Sequence, residues 1–240
     1  MTLETAVYAA VVLFLAYLVR GIAGFGSGLI AVPLLALRFP VTAVVPLVVF
    51  LDYIGSASQG LKNRQHVAWR EQLPLIPFTL VGVGVGLLLL KAVPAAILAK
   101  VLGGFIIAYA IYQWLPLPVL RGSRLFVVPY GILGGFVGTL FGTGGPFYVI
   151  YFTLRGLGKN VFRATFAINF LIDGAIRLIA YLTVGLLGLQ TLTHLLVALP
   201  VVAVGLFLGG HIHTGFSQKT YVRFISLLLL GSGIGLLLKP

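Results

Sequence analysis

Residues 20–33 read Arg20-Gly-Ile-Ala-Gly-Phe-Gly-Ser-Gly-Leu-Ile-Ala-Val-Pro33, set between two apolar runs. Glycine at this density either interrupts a helix or lets two helices approach closely. Inside a bilayer, interrupted backbone survives only where protein or a polar cavity satisfies its N–H and C=O groups. A second cluster, Gly138, Gly142, Gly144 and Gly145 followed by Pro146, lies half a chain later. Neither cluster is a nucleotide-binding fingerprint, because no strand precedes it and no Lys-Ser/Thr pair closes it. Two readings of the glycines stand: close helix packing, or half-helix N-termini whose free N–H groups attract an anion.

Around these clusters the composition is that of a membrane protein. The 240 residues are 60% hydrophobic and 8% charged, whereas an ordinary soluble domain is about a quarter charged. Apolar runs punctuated by charge, Gly and Pro predict ten segments: 3–19, 22–37, 41–61, 73–90, 95–114, 125–140, 145–154, 164–187, 192–210 and 221–238. The second and seventh are short and Gly-rich, as half-helices or re-entrant segments are. The expected fold class is all-α and polytopic, one integral membrane domain. Sixteen Lys and Arg against four Asp and Glu give a formal net charge of +12. These bases are scattered singly, not clustered on one solvated face, which argues against a nucleic-acid partner. The absence of Cys excludes disulfides, thiolate chemistry and Cys-ligated metals. Met1-Thr-Leu-Glu4 carries an acid where a secretory signal carries bases, so the first helix is expected to be retained.

Sliding the second half of the chain along the first gives three anchored matches. Gly24 and Gly26 match Gly142 and Gly144 at an offset of 118, and Ala43 and Asp52 match Ala164 and Asp173 at 121. Pro77, Gly82, Gly86 and Lys100 match Pro200, Gly205, Gly209 and Arg223 at 123. Two homologous repeats are expected, 1–114 and 125–240, joined by a cytoplasmic linker at 115–124. Short loops rich in Lys and Arg stay cytoplasmic. Lys62, Arg64 and Arg70, then Arg121 and Arg124, then Arg155, Lys159 and Arg163 mark three such loops. Both termini are then outside, and an odd number of segments per repeat inverts one repeat relative to the other. Inverted repeats with Gly-interrupted segments are an architecture of secondary transporters.

Of the acids, Glu4 falls at a terminus and Glu71 in a loop, while Asp52 and Asp173 fall mid-segment at matching repeat positions. A charge there costs about 2.5–3.5 kcal/mol, so it faces a cavity, a partner or a proton. Arg177 lies one helical turn after Asp173, and Asn169 one turn before it. One reading is a structural salt bridge; the other is a proton-coupling carboxylate beside an anion-binding Arg. Ser56 stands where the second repeat has Arg177, leaving a single fixed cation. Lys100 and Arg223, near segment ends, are explained by snorkelling. His211 and His213, two residues apart, are too sparse for a zinc site.

With Gly142-Thr-Gly-Gly-Pro-Phe147 opening the second half, the stretch from Arg20 to Leu35 resembles the TauE/SafE sulfite exporter family of permeases, within the 4-toluene sulfonate uptake permease superfamily. The resemblance extends over essentially the whole chain. It implies a multi-pass protein of a prokaryotic plasma (inner) membrane that transports a small anion, often a sulfur oxyanion such as sulfite or an organosulfonate. It also implies that Gly24, Gly26, Gly28 and Pro33, with Gly142, Gly144, Gly145 and Pro146, lie in the substrate region. Tyr151 stands where the counterpart of Pro33 is expected.

The expected function is a secondary transporter whose inverted halves rock around an anion held by Arg177 and the Gly-loop amides. Ser27, Thr143 and Tyr148 would add hydroxyl donors and Asn169 a polar contact, while Asp52 or Asp173 would carry a coupling proton. A passive anion channel would use the same residues. An intramembrane enzyme needs a converging nucleophile, base or metal set, and no such motif is present, so no catalytic residue, metal or cofactor is assigned. The expected partners are a small anion, protons and the lipid bilayer, and the sequence leaves monomer and homodimer open.

Overall fold

The computed structural model describes residues 2–23, 26–60, 64–115, 122–212 and 218–239. Gly24, His213, Lys62 and Arg121 lie outside the described residues, as does the side chain of Arg223. Among the described residues the structure is all helical. The order is α1 (Leu3–Ala23), α2 (Ser27–Ala36), α3 (Val41–Gly60), α4 (Trp69–Gln72), α5 (Leu75–Ala92), α6 (Ala95–Tyr112), α7 (Val127–Phe141), α8 (Gly145–Leu154), α9 (Lys159–Thr183), α10 (Leu189–His211) and α11 (Gln218–Leu237). Six helical stretches are long and apolar enough to cross a membrane: Leu3–Ile22, Trp69–Ala92, Ala95–Tyr112, Arg124–Phe141, Lys159–Thr183 and Thr191–His211. Their outward faces carry Leu88, Leu196 and Val197, all above two-thirds exposed, as lipid-facing side chains are. At about 15 Å each, the ten-residue helices α2 and α8 are half the ~30 Å hydrocarbon thickness.

The boundaries that differ most from expectation flank the first interruption and open α9. Gly21 and Ile22 continue α1, so the first interruption falls after Ala23, with Gly26 at φ 99° before α2. Only a residue without Cβ takes that left-handed conformation cheaply. Lys159 and Arg163, expected in a loop, belong to the first turns of α9.

The helices form two compact units that interleave the sequence halves. One is drawn from Met1–Val48, Val93–Leu117 and Gly188–Pro240, the other from Val49–Ala92 and Pro118–Leu187. Within the first, α1 packs on α10, α6 on α11, and α2 rests on α1, α6 and α11. The Tyr8 hydroxyl donates to Leu34 O at 2.6 Å, and Lys239 Nζ to Ala36 O at 2.9 Å. The second unit is built on α5 against α7, with α8 and α9 alongside. Its apolar centre joins Leu75, Val127, Tyr148, Tyr151, Phe152 and Phe166.

Glycine lines the closest seams. A Cβ on Gly82 of α5 would collide with Ile132 O of α7 and stand 2.8 Å from Phe136 N. In the other unit, a Cβ on Gly205 of α10 would stand 2.9 Å from Phe14 O and 3.2 Å from Leu18 N of α1. Gly86 meets Phe136 O, and Gly209 meets Leu18 O. Backbones this close gain dispersion contacts that larger residues would forbid.

Glu71 is not a loop acid. It sits in α4, buried, and accepts from Arg155 Nε at 2.9 Å, the Tyr151 hydroxyl at 2.8 Å and Arg124 Nη2 at 3.4 Å. Arg155 Nη1 also donates to Gly122 O at 2.6 Å. This cluster ties α4 to the C-terminal end of α8 and to the turn before α7. Ala68 N–H, just ahead of α4, donates to Thr165 Oγ1 of α9 at 2.9 Å.

Two stability outcomes follow, both read by thermal unfolding in detergent. Gly82→Val and Gly205→Val should each destabilise by about 1–3 kcal/mol through overpacking, whereas Gly84→Ala, where a Cβ meets nothing within 4 Å, should be neutral or stabilising. Glu71→Ala, which strands the partly buried Arg155, should cost about 2–4 kcal/mol, while loss of the exposed Arg124 side chain should cost under about 1 kcal/mol.

Candidate functional site

In the second unit the chain turns sharply between α7 and α8. α7 ends at Phe141, Gly142 takes φ 67°, and its N–H donates to Gly138 O at 2.9 Å. After Thr143 and Gly144, α8 begins at Gly145 with Pro146 in its first turn. A helix end leaves its last carbonyls without intrahelical donors, and here they are surrounded by buried side chains. Two residues of α9 donate here, one to Thr139 O and one as a second donor to Gly138 O. Arg177 Nη1 reaches Gly138 O at 2.8 Å, and the Tyr181 hydroxyl reaches Thr139 O at 2.7 Å. A cation at this end also complements the negative pole of the α7 dipole.

Asn169, Asp173, Arg177 and Tyr181 recur every fourth residue, so they line one face of α9, and all four are buried. Arg177 Nη2 is ion-paired with the Asp173 carboxylate. The other Asp173 oxygen accepts from the Tyr148 hydroxyl of α8 at 3.1 Å, and that hydroxyl lies 3.2 Å from Thr79 Oγ1 of α5. Farther along, Asn169 Oδ1 accepts from Gln72 Nε2 at 3.1 Å. The glycines give this network room. A Cβ on Gly138 would stand 3.0 Å from Arg177 Nη1, and one on Gly145 would stand 3.2 Å from the Phe170 ring. Gly144 lies against the carbonyl oxygen of Gly134. Thr143 is buried at the break, and its hydroxyl has no partner among the described residues.

The structure therefore brings together, within one unit, Gly142, Thr143, Gly144, Gly145, Tyr148, Asn169, Asp173 and Arg177. Gly26, Ser27 and Gly28 belong to the other unit, where Ser27 and Gly28 open α2. Asp52 is buried in α3. The idea of a single fixed cation needs correction. Arg20, near the C-terminal end of α1, is only 4% exposed. Its Nη1 donates to Ser27 Oγ at 3.1 Å across the α1–α2 interruption, and its guanidinium lies 5.8 Å from the Tyr17 ring centroid. In the sequence it falls between the first two expected segments; in the structure it is a buried charge.

Thr79, Tyr181 and Gln72 also went unnoticed in the sequence. Tyr181 was within reach, since it continues the four-residue spacing of Asp173 and Arg177. Thr79 and Gln72 carry no such local signal, because their partners lie 69 and 97 residues away.

Among known proteins, the chain is 28% identical over 225 residues to a probable sulfite/organosulfonate exporter TauE of Cupriavidus necator, covering 90% of this chain and 88% of that one. It is 29% identical over 244 residues to the probable membrane transporter protein ORF9 of a Sinorhizobium species, covering 94% and 88%. No solved structure matches it significantly. The model of the sulfite exporter TauE/SafE family matches residues 9–236. The family match over nearly the whole chain, with six apolar membrane-length helical stretches among the described residues, decides the matter: the chain belongs to the TauE/SafE sulfite exporter family, and it is a multi-pass membrane transporter and not an enzyme.

Proposed function

We propose that the protein is a secondary transporter for a small anion, a sulfur oxyanion such as sulfite or a small organosulfonate, in a prokaryotic inner membrane. The observation that carries this reading is the buried Asp173–Arg177 pair at the α7–α8 break. Guanidinium has five N–H donors, and three nitrogen contacts use Gly138 O, the Asp173 carboxylate and Asp173 O. Remaining donor capacity, with the Thr143 hydroxyl and the first turn of α8, suits an oxyanion. Protonation of Asp173 would remove the charge that holds Arg177 and free the guanidinium for the substrate. Proton and anion would then bind together, which gives proton coupling without ATP. Tyr148, donating to Asp173, orients the carboxyl, and Asn169 extends the polar face.

Alternating access by two inverted repeats, 1–114 and 125–240 about the linker 115–124, is the motion we assign. Its support is internal. Phe14 and Leu18 against Gly205 correspond, at offsets of 118 and 123, to Ile132 and Phe136 against Gly82. The α1–α10 and α7–α5 pairings are therefore equivalent. On this reading Gly24, Gly26, Ser27 and Gly28 are the first repeat's substrate loop, and Asp52 its counterpart of Asp173. Both termini are placed outside.

In proteoliposomes, sulfite should accumulate uphill when a proton gradient is imposed. Arg177→Ala should abolish transport by about a hundredfold or more, and Asp173→Asn should uncouple flux from the gradient. Normal transport by Arg177→Ala would remove its binding role, and strictly downhill flux would make the protein a channel. Because the chain has no native Cys, orientation can be read with single cysteines. In intact cells a membrane-impermeant maleimide should label Thr2→Cys but leave Ser123→Cys unlabelled.

A further inference from the structure

We propose that Gln72, paired with Asn169, is a specificity-determining contact of the transported anion, and that the pair selects an oxyanion still carrying a proton. The inference rests on the anion-transporter reading above and names the form of substrate it takes. Gln72 is 1% exposed and Asn169 2%. Their one mutual hydrogen bond leaves Gln72 Oε1 and Asn169 Nδ2 buried with no partner. Turning both amides over would leave Gln72 Nε2 and Asn169 Oδ1 instead. In either orientation one donor and one acceptor stand open. Buried polar groups are nearly always satisfied, so an open donor beside an open acceptor calls for a ligand that offers both.

The pair also lies on the right track. Asn169 shares its face of α9 with Asp173 and Arg177, about 6 and 12 Å away along the axis. Gln72 is held there from two sides: its neighbour Glu71 is locked by Arg155 and Tyr151, and Ala68 N–H is bonded to Thr165. A purely structural bridge between α4 and α9 is not what this place in the fold requires. At the repeat offsets of 123 and 121, Gln72 corresponds to Leu195 and Asn169 to Val48, both buried and apolar. The open amide N–H meets an anionic oxygen. The open carbonyl needs an O–H, which a fully deprotonated anion cannot offer and hydrogen sulfite can.

The test compares sulfite at mildly acidic pH with methanesulfonate, which carries no proton there, in proteoliposomes of the full chain. Gln72→Leu should raise KM for sulfite about tenfold or more and KM for methanesulfonate by less than about threefold. The unliganded Tm should change little or fall slightly, since the variant removes the open Gln72 Oε1 but leaves Asn169 Oδ1 without its donor. An unchanged sulfite KM in folded Gln72→Leu overturns the proposal, as does an equal loss for both anions. If Gln72→Leu fails to fold, Gln72→Met, which likewise removes the open carbonyl, is judged by the same comparison. A wild-type protein that moves neither anion, with or without a proton gradient, removes the transporter reading itself, a result distinct from the variant outcomes.

Discussion

Interrupting a helix among buried apolar neighbours strands carbonyl groups, and the second unit is organised around supplying their donors. Thr139 O, in the last turn of α7, receives Tyr181 from α9, and Gly138 O, already bonded to Gly142 N–H, receives Arg177 as a second donor. A buried guanidinium is itself unaffordable alone, so Arg177 requires Asp173, and Asp173 in turn takes the hydroxyl of Tyr148. Tyr148 lies beside Thr79 of α5. One backbone problem at the break thus connects α5, α7, α8 and α9.

The centre of this network is an ion pair between two buried side chains. An ion pair buried in a low-dielectric setting is strong only while both charges persist. Loss of either charge weakens it. The glycine seams keep the surrounding helices close without long interlocking side chains: α5 meets α7 at Gly82 and Gly86, and α1 meets α10 at Gly205 and Gly209. A smooth seam of this kind is suited to small sliding movements.

How much of this was legible beforehand depended on the range of the interaction. The ten apolar helices follow apolar run length and Gly or Pro punctuation, so their expected spans agree with α1–α3 and α5–α11 to within about five residues. Asp173, Arg177 and Asn169 on one face followed from spacing alone. Glu71 did not: beside basic residues it reads as a solvated loop acid, and only Tyr151 and Arg155, 80 and 84 residues away, make it a buried clamp. Arg20 was equally opaque, since a base ending an apolar run ordinarily snorkels, whereas here it turns inward to Ser27.

The amino-acid sequence by itself determined the membrane class, the helix inventory and the face of α9 that carries charge. Each of these rests on short-range periodicity or on composition, which the chain carries in any conformation. Only the tertiary structure decided that α5 pairs with α7 and α1 with α10, that Tyr148 and Thr79 attend Asp173, and that Gln72 meets Asn169 with a donor and an acceptor left open. Those pairings depend on which buried polar group reaches which partner across many residues of chain, a competition settled by packing as a whole and not by any local spacing.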